Sequence, residues 1–314
     1  MLRATLLWLS EQPRIFRFVR RNRLARRLAS RFVAGEEPDD GVKAVRELNR
    51  AGITASLDLL GESVTNRDEA RHARDVYLDT LNRIRAAGVE SNVSVKLTQM
   101  GLDISEGLAV ENLSAIIARA KEHDSFVRID MEGSAYTART LDLFKREFHP
   151  RFGNAVGVVL QSYLRRTAQD VEDMIALGAR VRLCKGAYKE PPDVAFPGKK
   201  DVDANYVACM ERLVDCGHYP GLATHDATII ARARAFTTAK RIPPERYEFQ
   251  MLYGVRRDLQ LALRQDGYRM RVYVPFGTHW YPYLMRRLAE RPANIAFLTG
   301  SLMRESLRRT PRRS

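Results

Sequence analysis

Arg286 and Arg287 stand side by side, shortly after Tyr273 and Tyr283, and this group has the chemistry to capture a small carboxylate. A guanidinium meets a carboxylate through two parallel hydrogen bonds, and an aromatic face covers the apolar part of such a ligand. The segment that carries them begins as a strand, with Val272 and Val274 alternating with Arg271 and Tyr273. Pro275 and Gly277 break that strand, and a helix starts near Tyr281 and Pro282. Two adjacent arginines on a helix are equally at home on a solvated surface. The remaining chain has to separate the two readings.

Eight short apolar runs precede or include this segment: residues 53–60, 93–97, 127–131, 156–160, 181–184, 222–224, 249–252 and 272–274. Helical patterns fill the intervals and stop at glycine. Asn66 caps one that runs to Gly88, Thr167 opens one closed by Gly178, Asp203 one closed by Gly217, and Arg256 one that ends at Gly267. Strand, helix and glycine repeated eight times predict an α/β chain folded as a (β/α)8 barrel. No G-x-G-x-x-G follows the first strand and no G-x-x-x-x-G-K-[ST] occurs, so neither usual phosphate loop is present.

Barrel chemistry gathers at the C-terminal strand ends. Read in order, these expected ends carry Glu62, Lys96, Asp130, Gln161, Arg182, Lys185, Thr224, His225, Glu248, Gln250 and Tyr273. Cationic and donor groups outnumber acids there, which suits an anionic cofactor and an anionic substrate. Each has a plain alternative: Lys96 and Asp130 as a structural ion pair, His225 as a satisfied structural histidine. No histidines have metal spacing and no G-x-S-x-G elbow occurs, so no metal is expected.

Of the +14 net charge, residues 1–31 hold +8 and residues 301–314 hold +4, leaving +2 for the body. Basic ends on a near-neutral body suggest peripheral contact with an anionic surface. Residues 1–40 read as a basic amphipathic helical arm, set off by a polar turn at 36–41; residues 41–300 form the barrel and 301–314 a basic tail. Three cysteines without pair spacing point to reduced thiols in a cytoplasmic setting, and no apolar run is long enough to span a membrane. Monomer and homo-oligomer are not distinguished at this level.

The stretch Arg182-Leu-Cys-Lys-Gly-Ala-Tyr-Lys-Glu190 resembles the strand-5 signature of the proline dehydrogenase family. Leu59-Leu-Gly-Glu62, Ala223-Thr-His-Asp226, Glu248-Phe-Gln-Met-Leu-Tyr-Gly254, Tyr273-Val-Pro-Phe-Gly277 and Tyr283-Leu-Met-Arg-Arg287 match the same family, in order. The resemblance, to the monofunctional form, implies a distorted (β/α)8, TIM-type barrel with its last helix over the C-terminal face. It implies a flavoenzyme that oxidises L-proline to Δ1-pyrroline-5-carboxylate on FAD, the first step of proline degradation, and passes electrons to a membrane quinone. Arg286, Arg287 and Lys96 are then expected on the substrate carboxylate, with Leu183, Tyr188, Tyr273 and Tyr283 around its ring. Arg182 is expected at the flavin edge, and Asp130 is expected to orient Lys96 and border the flavin. Met131, Gln161, Lys185, Gly186, Ala187, Thr224 and His225 match positions that bind FAD, and Glu62 resembles the acid that pairs with Arg286 to close the site. Lys189 departs from the tryptophan common in the fused relatives, so no cofactor contact is carried over there.

Two other classes compete. A Schiff-base aldolase would use Lys96 or Lys185 as a nucleophile of depressed pKa. A nucleic-acid-binding protein would use the basic ends, but no recognisable nucleic-acid motif accompanies them, and no nucleic acid is expected as partner.

Overall fold

The structure, a computed structural model, describes residues 29–62 and 64–290. Eight strands close into a barrel in chain order: β1 (Thr54–Leu59), β2 (Ser91–Val95), β3 (Val127–Ile129), β4 (Val156–Gln161), β5 (Arg180–Cys184), β6 (Gly221–Ala223), β7 (Glu248–Leu252) and β8 (Met270–Phe276). Every neighbouring pair is parallel, and β1 shuts the ring on β8 from Thr54 opposite Arg271 to Leu59 opposite Phe276. Parallel neighbours need a long crossover, and the glycine-stopped helices supply it. The helix Arg67–Ala87 shows how: Asn66 accepts from the Glu69 N–H, Gly88 ends the helix at φ 60°, and Ala70, Ala73, Tyr77, Leu81 and Ile84 form the buried face.

Side chains alternate along a strand, and here the alternation separates two interiors. Ala55, Leu57, Val93, Val95, Val127, Ile129, Val181, Leu183, Phe249, Met251, Val272 and Val274 belong to the main apolar core. Burying each large side chain of that set is worth about 1.5–3 kcal/mol. The intervening residues Ser56, Asp58, Ser94, Arg128, Arg182, Gln250 and Arg271 bond to other strands across the barrel. Buried polar groups survive only when partnered, so this barrel is held inside by hydrogen bonds and ion pairs.

Three expectations change. Residues 36–41 are not a free turn: Pro38 opens the helix Pro38–Arg50, and the Asp40 carboxylate accepts from the Glu36 and Glu37 N–H groups at 3.1 Å each. Its buried residues Val42, Ala44 and Val45 continue the helix beyond the polar start. Pro275 does not end β8. It lacks an N–H, but its carbonyl accepts from Ala34 and the strand runs on to Phe276. Glu248 opens β7, so it lies at the N-terminal end of the barrel and not at the mouth.

The last described helix, Trp280–Glu290, packs Trp280, Tyr281, Tyr283, Leu284 and Met285 with Leu60, immediately beyond β1, and with Ala29, Phe32 and Val33. Trp280 Nε1 also donates to Glu36 Oε1 at 3.1 Å. The helix is thereby held at the C-terminal end of the barrel. The basic stretches 1–28 and 291–314 lie outside the described residues. Among the described residues, no helix is long and apolar enough to cross a membrane.

Candidate active site

Tyr77 fixes the floor of the site. From its helix it donates to the Ser94 carbonyl at 2.7 Å and accepts from the Leu59 N–H at 3.2 Å, tying together the ends of β1 and β2. Those two ends carry Asp58 and, one residue past β2, Lys96. The Lys96 ammonium lies 2.9 Å from Asp58 Oδ1 and 3.8 Å from Asp130 Oδ2. The nearer partner is therefore Asp58, which no strand-end motif marks, and Asp130 is the second. Asp58 shares the inward parity of Ser56, which is the signal the sequence offers: an acid inside an apolar run, two residues from another polar one.

Asp130 is better described as the partner of Arg182 and Tyr273. Arg182 donates from a terminal nitrogen to Asp130 Oδ1 at 2.7 Å, and the Tyr273 hydroxyl donates to Oδ2 at 2.7 Å. Arg182 also donates from Nε to Gln250 Oε1 at 2.5 Å and reaches Ser94 Oγ at 3.2 Å, while its guanidinium carbon stands 5.2 Å from the Tyr273 ring centroid. With Ser56 Oγ at 3.4 Å as well, one guanidinium bridges five other strands or strand ends. Beneath it the chain continues: Gln250 Nε2 donates to Glu248 Oε1 at 2.6 Å, and Arg271 Nε donates to the same oxygen at 2.7 Å.

Electrostatics follow from this packing. Burial works against the Lys96 ammonium, but Asp58, Asp130 and Glu62 outweigh it and hold its pKa well above the lysine range. Burial pushes Asp58 up to about 6, with Lys96 opposing the rise and Asp130 adding to it. At neutral pH the pair is ionised. This removes the Schiff-base reading, because a nucleophilic lysine needs a lowered pKa. Lys185 is no better a nucleophile, since Asp203 and Asp226 hold it at 2.5 and 2.9 Å.

Around this centre the other candidates divide. Gln161, at the end of β4, is buried and its Oε1 has no hydrogen-bond partner, an acceptor left for a bound group. Gly186 has φ +102°, and a Cβ there would collide with the Tyr163 ring, so only glycine fits. Thr224 is buried and accepts from the Asp226 N–H, while His225 Nε2 accepts from the Leu252 N–H at 3.0 Å. Met131 and Leu183 are buried in the main core. Ala187 and Tyr188 are exposed on the loop after β5. That loop is anchored through Glu190, which accepts from the Ser134 N–H at 2.7 Å. Glu62 is half-buried just beyond β1. Arg287 places its guanidinium carbon 5.2 Å from the centroid of the buried Tyr283 ring. The Arg286 side chain, and with it the expected Glu62–Arg286 gate, lies outside the described residues.

The surplus of cations expected at the mouth is smaller than the strand-end residues imply. Asp58, Asp130, Asp203 and Asp226 each meet one of Lys96, Arg182 and Lys185. Fold and site together define a (β/α)8 barrel with an internally paired, charged mouth.

Comparison with known proteins identifies the family. Residues 41–300 match proline dehydrogenase. Proline dehydrogenase 1 of Bacillus subtilis subsp. natto is 41% identical over 310 residues, covering 97% of this chain and all of that protein. Proline dehydrogenase of Deinococcus radiodurans is 39% identical over 307 residues, covering 97% of this chain and 98% of its own. Among solved structures, proline utilization A from Bdellovibrio bacteriovorus, inactivated by N-propargylglycine, superposes with TM-score 0.81 at 25% identity; the match covers 95% of this chain and 39% of that longer one. The chain belongs to the proline dehydrogenase family, whose activity opens proline catabolism.

Proposed function

We propose that this protein oxidises L-proline to Δ1-pyrroline-5-carboxylate with FAD as hydride acceptor and a membrane quinone as the final electron acceptor. The observation that carries this reading is the mouth itself: Asp130 receives both Arg182 and Tyr273, and Lys96 is kept cationic above Asp58. FAD, when bound, supplies the acceptor for the hydride that leaves proline C5. The residues present fit such a group. Gln161 offers an unpartnered buried acceptor, and Gly186, whose missing side chain makes room for the Tyr163 ring, belongs to the same proposed set. Met131, Arg182, Lys185, Ala187, Thr224 and His225 complete the proposed cofactor set, with Asp130 orienting Arg182.

Arg287, Arg286 and Lys96 take the substrate carboxylate. Leu183, Tyr188, Tyr273 and Tyr283 enclose the ring, and Asp130 fixes the Tyr273 phenol. Glu62 pairs with Arg286 on closure. Fixing the ring and carboxylate together removes much of the orientational cost of the reaction. The amine must be neutral before C5 gives up hydride, and neighbouring cations with loss of water both favour the neutral form. No side chain is required as a strong base, because the amine proton leaves to water before the chemical step. The basic ends, residues 1–31 and 301–314, bring the protein to the anionic membrane surface where quinone resides.

The reaction is tested with L-proline deuterated at C5. A primary isotope effect on anaerobic flavin reduction is expected, and deuterium at C5 that leaves the rate unchanged while deuterium at Cα slows it would place the oxidation at the wrong carbon. Lys96→Ala is expected to raise KM for proline about tenfold or more, the loss of one charge-assisted contact, while flavin stays bound. Wild-type kinetics in that variant would make Lys96 a purely structural partner of Asp58.

A further inference from the structure

We propose that the N-terminal end of the barrel, opposite the mouth, binds a small oxyanion, a carboxylate or a phosphate, on the Arg180 guanidinium. A cleft of about 770 Å³ opens there at the starts of the strands, lined by Thr54, Arg180, Tyr219, Glu248, Arg269 and Arg271 among others. A second cleft of about 550 Å³ adjoins it and shares Thr54, Glu90, Arg180 and Arg271. Arg180 therefore borders both.

The Arg180 guanidinium carbon stands 4.1 Å from the Phe126 ring centroid and 4.9 Å from that of Tyr219. Ring faces satisfy the faces of a guanidinium and leave its N–H edge for an acceptor. That acceptor is missing from the protein: among the described residues Arg180 makes no ion pair, and its buried Nε donates to nothing. Its neighbours deepen the imbalance. Arg128 is buried and donates to the Val158 and Arg180 carbonyls, and Arg271 shares the one buried carboxylate, Glu248. Three guanidiniums thus surround a single buried acid. Glu90 and Glu245 also line the clefts, but both are exposed, where solvent screens them.

The local field registers on the titrating groups nearby. Burial and the Arg271 charge pull Arg180 below the ordinary arginine range, with Glu248 opposing. Burial, then Arg182 and Arg180, pull Arg128 well below it, and burial, Arg180 and Arg246 lower His218. A bound oxyanion would satisfy the Arg180 edge and relieve this repulsion. The site shares no residue with the proposed proline site, so either can fail without the other.

The test is calorimetric titration of the purified flavin-loaded protein with inorganic phosphate and, separately, succinate, against sodium chloride at matched ionic strength. One saturable site is expected for at least one of the two oxyanions; the one that saturates identifies the phosphate or the carboxylate class. Arg180→Met is expected to weaken binding about tenfold or more, the scale of one charged hydrogen bond. If Arg180→Met does not fold, Arg180→Lys serves instead, because it keeps the charge but loses the planar fork, and weakened binding is again expected. The proposal is overturned if neither oxyanion saturates beyond the chloride control, or if the folded variant binds as the wild type does.

Discussion

Arg287→Met is expected to raise KM for L-proline by about two to three orders of magnitude while FAD remains bound. The pairing at the mouth is the reason. Lys96 and Arg182 already face Asp58 and Asp130, and Lys185 faces Asp203 and Asp226, so these cations are largely committed to the protein's own acids. In the proposed site the Arg287 guanidinium, against the Tyr283 ring on the helix Trp280–Glu290, adds a planar fork to the contacts on the substrate carboxylate. A guanidinium that meets a carboxylate through two charge-assisted bonds contributes about 3–4 kcal/mol, which is two to three decades in KM. Methionine keeps an unbranched stem but removes the guanidinium, and with it both the charge and the stacking on Tyr283. Steady-state kinetics with flavin content measured in parallel check this. Near-normal KM in the variant would return Arg287 to the solvated surface.

Glu248→Gln is expected to cost about 3 kcal/mol of folding stability at neutral pH. Burial opposes the Glu248 carboxylate, but Arg271, the Gln250 side-chain amide and Arg128 outweigh it and hold its pKa at about 2, against an ordinary 4.5. A difference of one pH unit between folded and unfolded pKa corresponds to about 1.4 kcal/mol. By linkage, the unfolded chain binds this proton more readily, so the stabilisation is complete above about pH 4.5 and is lost as pH falls toward 2. The glutamine variant should therefore show its full deficit at pH 7 and a smaller one at pH 3.5, read from urea midpoints. An equal deficit at both values would show that lost packing, not lost charge, is responsible. Glu248 sits two links from Arg182, so the same variant also loosens the central guanidinium.

Much of this is legible in the chain because period and punctuation are strong local signals. The eight apolar runs correspond to the eight strands, and Asn66 and Gly88 bound their helix as expected. Polar residues among the runs mark the strand-end chemistry: Lys96, Asp130, Arg182 and Tyr273 do come together. Pairing across the barrel is not legible in the same way. Asp58 looks like part of an apolar strand until the parallel pairing of β1 with β2 brings Lys96 to it. Glu248 opens β7 and Gln250 sits at its middle with the same parity, and only the closed barrel shows that Glu248 takes Arg271 from β8 while Gln250 takes Arg182 from β5. Pro275 departs from expectation for a related reason. A proline breaks a strand only where its missing N–H is needed, and here its carbonyl carries the contact to Ala34.

A flavin held in this barrel and reduced by L-proline is the centre of the proposed function. The most direct measurement is the visible absorption spectrum of the purified protein under anaerobic conditions, before and after L-proline is added. A bound flavin band that bleaches with L-proline, and is restored on adding a quinone, is the predicted result. A protein that binds FAD but keeps its oxidised spectrum at saturating L-proline would contradict it.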